Sequence, residues 1–207
     1  AKVLEQVSLA AEKYGRRASD IRLLAVSKMQ DAEAVRSAAA QGVRDFGENY
    51  LQEALGKIEA CRDLDLCWHF IGPLQSNKTR PVAEHFDWVH SVDREKILRR
   101  LSEQRPDDLD PLNVCLQVNV SGEHTKAGVA PEALPGLMDL AATLPRLRLR
   151  GLMAIPAPAE GFDAQKRPLD RLASLQADAR ARYPQLDTLS MGMSADLDAA
   201  VDRKSVV

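Results

Sequence analysis

The stretch IRLLAVSKMQDAEAVRSAAAQG, residues 21–42, begins as an apolar run, breaks at Ser27 and Lys28, and continues with helical spacing to Gly42. A strand leading into a helix is the unit from which parallel sheets are assembled. The joint between them separates the two commonest architectures. A doubly wound sheet that binds a dinucleotide carries a glycine-rich phosphate loop after its first strand. Here that joint reads AVSKMQDAEA, with no glycine. In a barrel, functional groups collect where the strands end, and this first strand ends on an amine. On its own, a lysine after a strand is usually a solvated terminus. The other strand ends change that reading.

Six more short runs have strand character: VRDFGE (43–48), CWHFIG (67–72), DWVHSV (87–92), NVCLQVNV (113–120), LRLRGLMAI (147–155) and DTLSMG (187–192). Several are rich in the β-branched and aromatic residues that suit strands. Helical stretches lie between them. Asp31 is placed to cap 31–41, which Gly42 ends, and Asp93 to cap 93–104, which Pro106 follows. Pro131 suits the first turn of 131–144, where Pro135 would kink or shorten the helix. Leu169, Leu172 and Leu175 give 163–182 a helical period. No linker, repeat or composition break interrupts residues 1–207, so one domain is expected. The fold class is α/β, a TIM-type (β/α) barrel whose complete form has eight strands; a doubly wound open sheet is the alternative.

The totals exclude several classes of function. With 28 basic and 30 acidic residues the formal charge is -2, so nothing drives attraction to a nucleic acid backbone. The basic alternation RLRLR (146–150) reads as a strand's solvated entry. No apolar run is long enough for a membrane span, and the opening AKVLEQVSLAAEK lacks a signal peptide's apolar centre. The chain starts without Met, as if a few residues were missing from the front. Cys61, Cys67 and Cys115 lack zinc-ligand spacing and read as reduced thiols in a soluble, cytoplasmic protein. No metal is expected, because His85, His90 and His124 are scattered and read as surface or hydrogen-bonded residues. Trp68 and Trp88 fall in strand runs and should pack in the core. No glycosidase-like carboxylate pair and no Ser-His-Asp set can be assembled.

Read in barrel order, the strand ends supply Lys28, then Glu48 and Asn49, His69 to Lys78, His90 and Ser91, Asn119, Met153, and Ser190 to Ser194. A lysine held over a barrel mouth among apolar neighbours has its charged form disfavoured, and its free amine becomes a nucleophile toward carbonyls. Barrels commonly bind phosphate after strands 7 and 8, at a helix start. In SMGMSADLDAA, Gly192 permits close backbone approach, and Ser194 is placed to cap a helix beginning at Ala195.

The ordered motifs AVSKMQ, DFGENYLQE, WHFIGPLQSNKTR, QVNVSGEHTKAG, GLMAIPAP and LSMGMSADLDAA resemble those of the pyridoxal phosphate homeostasis protein family, also called YggS or PROSC. The likeness runs from residue 20 to 201. It implies a single barrel like the N-terminal domain of alanine racemase, with pyridoxal 5'-phosphate (PLP) as cofactor, bound as an internal aldimine. Carried over, the Schiff-base lysine falls on Lys28 and the pocket lining on Asn49. The phosphate segment falls on Ser190, Gly192 and Ser194, with His69 and Asn77 bordering the site. Lys78 also stands near a strand end, but its setting LQSNKTR is polar, so it should stay protonated and attract phosphate. The family continues after Val201 with a segment like GSTxVRIGTAIFG, its eighth strand, which supplies an arginine and a Gly-Thr pair to the cofactor. This chain reads DRKSVV, so that strand is missing or altered and Arg203 inherits no role. The implied function is to bind, buffer and hand on PLP to PLP-dependent apo-enzymes without turnover. The alternative is a PLP-dependent amino-acid racemase or decarboxylase, for which no second acid/base group is evident. A complete barrel would be monomeric; an open one would expose its sheet edges and associate through them.

Overall fold

In the computed structural model the residues described are 2–121 and 127–202. His124 and Arg203 lie outside them. All seven expected strands form: β1 (Ala25–Val26), β2 (Asp45–Glu48), β3 (Cys67–Phe70), β4 (Trp88–Val92), β5 (Leu112–Gln117), β6 (Leu147–Met153) and β7 (Thr188–Ser190). They are parallel and lie in sequence order, each paired with the next. The sheet curls into a half-barrel. Among the described residues, β1 and β7 pair with no strand other than β2 and β6.

The helices are α1 (Lys2–Lys13), α2 (Ala32–Ala40), α3 (Leu51–Ala60), α4 (Thr79–His85), α5 (Glu95–Gln104), α6 (Leu134–Thr143), α7 (Phe162–Ala179) and α8 (Leu197–Asp202). Asp31 caps α2 by accepting from the Ala34 amide at 2.8 Å, and Gly42, at φ +94°, ends it. Asp93 does not cap α5. Its carboxylate pairs with the neighbouring Arg94, which itself takes the N-cap position. Pro135 neither kinks nor breaks a helix. A 3-10 turn (Pro131–Ala133) precedes it, so it stands in the first turn of α6, where its missing N–H has no partner to lose.

Side chains alternate along each strand, and the two faces carry different cores. Outward, Phe46, Trp68, Phe70, Val89, Leu116 and Leu152 join the buried faces of the helices in one large apolar layer. Each large side chain buried there contributes about 1.5–3 kcal/mol. Inward, Trp88, Cys115 and Met153 form a smaller cluster, with Cys67 against it, that fills the lower lumen. Leu169 and Leu172 of α7 are fully buried, while Leu175 is partly buried against the same layer. α8 packs between α1 and α7, where Val201 meets Val7, Ala10 and Ala11.

Two irregularities shape the interior. On β4 an extra residue between Val89 and Val92 marks a bulge at His90 and Ser91. On β6 the extra residue is Arg150, since Val114 faces Leu149 and Cys115 faces Gly151. Bulges re-aim side chains. The Arg150 guanidinium consequently lies 4.6 Å over the Trp88 ring, pairs with Asp187 and donates to Asn113, closing the lumen's floor rather than extending a solvated strand entry.

Candidate functional site

Lys28 follows β1 on the face of Val26, which in register opposes Gly47, which in turn opposes His69 in the lumen. Its surroundings are less apolar than the sequence suggests. Val26 is 48% exposed and Lys28 itself is exposed, because no strand covers that side of β1 among the described residues. Lys28 and Met29 are the central residues of a tight turn closed by the Gln30 amide donating to Ser27 O at 3.0 Å. Met29 has φ +62°. At that turn position a positive φ suits glycine or asparagine, and a residue with a Cβ is strained.

The turn is held from beneath. Lys57 of α3 is buried and its Nζ donates to Ser27 O (2.5 Å), Glu48 Oε1 (2.7 Å) and Glu53 Oε1 (2.5 Å). Ser27 Oγ donates to the same Glu48 oxygen at 2.5 Å, and Glu53 Oε1 accepts from the Met29 amide at 2.6 Å. Burial would push the Lys57 ammonium down, but the two carboxylates outweigh it and hold its pKa above the ordinary value. Glu48 thus faces α3, although it adjoins Asn49 in sequence.

Inside the lumen a chain of hydrogen bonds crosses from β2 to β7. Asp45 Oδ1 lies 2.9 Å from His69 Nε2, His69 Nδ1 lies 2.9 Å from His90 Nε2, and His90 Nδ1 lies 2.5 Å from Ser190 Oγ. Burial pushes both imidazoles below their usual range; for His69 it outweighs the Asp45 carboxylate, and for His90 the neighbouring His69 adds to it. Burial alone would raise the Asp45 carboxyl. The His69 hydrogen bond and the Arg22 charge reverse this and hold it below the usual carboxylate range.

The C-terminal rim carries the remaining expected groups. Asn49 is half-buried, and its Oδ1 is buried without a hydrogen-bond partner. Gly72 backs onto it so closely that a Cβ there would lie 2.3 Å from Asn49 O. Gly192, at φ +98°, turns the chain out of β7. α8 begins at Leu197, two residues later than the sequence suggests, and it is Asp196, rather than Ser194, whose carboxylate accepts an amide of this loop, that of Met193. Ser194 is exposed. Asn77 and Lys78 are also exposed, in a 3-10 turn (Ser76–Lys78) past β3, and among the described residues no hydrogen bond joins them to the lumen. His69 lies deeper than a rim position, in mid-strand above Asp45 at the start of β2.

Three groups of metal-ligating type, Asp45, Cys67 and His69, come together low in the lumen, beside a cleft of about 400 Å³ at the strands' N-terminal ends. The Asp45 carboxylate is already engaged by His69 and Arg22. Burial and the nearby Asp87 and Asp45 push the Cys67 thiol up to about 12, so it stays protonated. Sequence reasoning missed Asp45, Lys57 and Glu53 altogether. The DFGENYLQEALGK spacing, with Glu53 and Lys57 one helical turn apart, was the available signal.

Seven parallel strands in sequence order, curled into a half-barrel, define the fold class of the alanine racemase N-terminal domain. Residues 5–204 match the family described as Alanine racemase, N-terminal domain. The alanine racemase of Corynebacterium glutamicum superposes with a TM-score of 0.73 over 99% of this chain and 58% of that one; at 16% identity this likeness is one of fold. The Pyridoxal phosphate homeostasis protein of Pseudomonas aeruginosa is 62% identical over 201 residues, which is 97% of this chain and 86% of that protein. The structure of PipY from Synechococcus elongatus with PLP bound is 35% identical, with a TM-score of 0.84 over 97% of this chain and 95% of that one. The chain belongs to the pyridoxal phosphate homeostasis protein family.

Proposed function

We propose that this protein binds PLP with Lys28 as its covalent anchor, and holds and releases the cofactor without turning it over. The observation that carries this is the pairing, on one rim, of the Lys28 amine after β1 with Asn49, whose buried Oδ1 lacks a donor. A small ligand seated on this rim would lie within reach of both groups. PLP supplies an aldehyde whose carbon forms a C=N bond with a primary amine, the carbonyl oxygen leaving as water. The segment carrying Ser190, Gly192 and Ser194 would wrap the phosphate with its backbone amides, and Asn49 would line the pocket. His69 orients Ser190 from below through His90. A PLP-bound relative of the same fold supports this reading.

The recipients of the released cofactor would be PLP-dependent apo-enzymes. Borohydride reduction in the presence of PLP, followed by peptide mapping, is expected to place the adduct on Lys28. An adduct confined to Lys78 would overturn the assignment. The PLP-loaded protein should also restore activity to an apo-enzyme added to it. Incubation with common amino acids and chiral chromatography should show no racemisation; turnover on the order of 1 per second would make the protein an enzyme instead.

A further inference from the structure

The peptide bonds on either side of Lys28 are both gripped by one side-chain network, through buried Lys57 on one side and partly exposed Glu53 on the other. Ser27 O belongs to the peptide preceding Lys28, and Lys57 Nζ donates to it. The Met29 amide belongs to the peptide following Lys28, and it donates to Glu53 Oε1. Lys57 joins the two grips by donating to Glu53 as well, and Glu48 ties in through Ser27 Oγ. An ammonium has three protons, and here all are used on Ser27 O, Glu48 and Glu53. With both flanking peptide planes fixed, the φ and ψ of Lys28 have no freedom left, and neither does the direction of its Cα–Cβ bond.

Stability does not explain this arrangement. The Glu48 and Lys57 side chains are 0% and 5% exposed, and Glu48 Oε2 is buried with no hydrogen-bond partner. A buried ion pair is often no better than apolar residues of the same volume, and an unpaired carboxylate oxygen adds a further penalty. The strained φ of Met29 is a third unfavourable feature in the same turn. All three converge on one backbone position, that of Lys28.

We propose that the Glu48–Lys57–Glu53 network is a positioning device for the Lys28 amine, fixing the lysine's backbone so that its side chain leaves β1 on the lumen face. This rests on the proposed role of Lys28. The network touches no ligand; it acts through the turn.

The test uses Glu53, whose side chain is partly exposed, so that folding survives its replacement. Glu53→Ala removes the acceptor for the Met29 amide, whereas Glu53→Gln keeps one. Two ligands separate anchoring from general binding: PLP, and 4-deoxypyridoxine 5'-phosphate, which has no aldehyde. Glu53→Ala is expected to weaken PLP binding about tenfold, the size of one charge-assisted hydrogen bond, and to change binding of the deoxy compound less than about twofold. Glu53→Gln should recover most of the loss. A double variant, Glu48→Gln with Lys57→Met, removes both buried charges together and should reproduce the Glu53→Ala pattern. Equal losses for the two ligands, or none for PLP, would overturn the proposal. Amide exchange of Met29 in cofactor-free protein is an independent readout: protection should be present in the unaltered chain and lost in Glu53→Ala, and unchanged protection would also overturn it. An adduct absent from Lys28 in the unaltered chain would instead bring down the proposed function, and the purpose of the network with it, however Met29 exchanges.

Discussion

With both imidazoles neutral and Asp45 ionised, the hydrogen-bond chain across the lumen can run in one direction only. A carboxylate only accepts, so His69 must donate to Asp45 from Nε2, leaving Nδ1 bare to accept from His90 Nε2. His90 Nδ1 is then bare and accepts from the Ser190 hydroxyl. Ser190 therefore spends its proton on His90 and offers the site only lone pairs. Nitrogen NMR of the cofactor-free protein should show both histidines as Nε2–H tautomers at pH 7.5, and a charged or Nδ1–H ring at either position would contradict this. At this scale the sequence was a poor guide. Ser190 was found from its motif, but its partner stands 100 residues away, and no local spacing announces a contact made by curling a sheet. His90 read as one of several scattered histidines for the same reason.

Elements were more legible, because the forces that end a helix are local. Asp31 and Gly42 bracket α2 as the sequence implies, and Asp31→Ala should lower stability by about 1 kcal/mol in urea unfolding, the usual worth of such a cap. Asp93 misled, since an adjacent arginine claimed its carboxylate, and strand lengths were overestimated, β1 most of all. Glycines inside strands carry a meaning that only packing reveals. A Cβ on Gly151 would lie 1.7 Å from Thr188 O, a backbone atom of the paired strand. Gly151→Ala should force β6 and β7 apart at a loss of about 3 kcal/mol, the upper range for overpacking. Because Ser190 lies two residues beyond Thr188, the same change should also remove the Ser190 bond to His90, seen as an altered His90 Nδ1 resonance.

For the whole molecule the buried histidines set a pH limit. Their folded pKa values lie below the ordinary one of about 6.5. In that interval the unfolded chain binds protons that the folded chain refuses, so stability falls as pH drops through about 6.5, by up to about 1.4 kcal/mol per pH unit for each histidine. Asp45, whose carboxyl is held low, acts in the same direction but only below about pH 4. The melting temperature should therefore be level above about pH 7.5 and decline toward pH 5.5, and His90→Gln should roughly halve the decline. A melting temperature independent of pH over that range would show that the rings titrate normally.

By itself the sequence determined the alternation of seven strands with helices, the barrel class, and the lysine ending β1, because periodicity, capping and the absent glycine loop are properties of neighbouring residues. Only the tertiary structure decided what surrounds that lysine. Glu48 was turned toward α3 to meet Lys57, His69 was sunk beneath the rim onto Asp45, and Lys28 was left exposed beside β1, whose far side no strand covers among the described residues. Which way a side chain faces depends on the strand's alternation and on what packs over it. The first can be read along the chain, whereas the second exists only after distant segments have met.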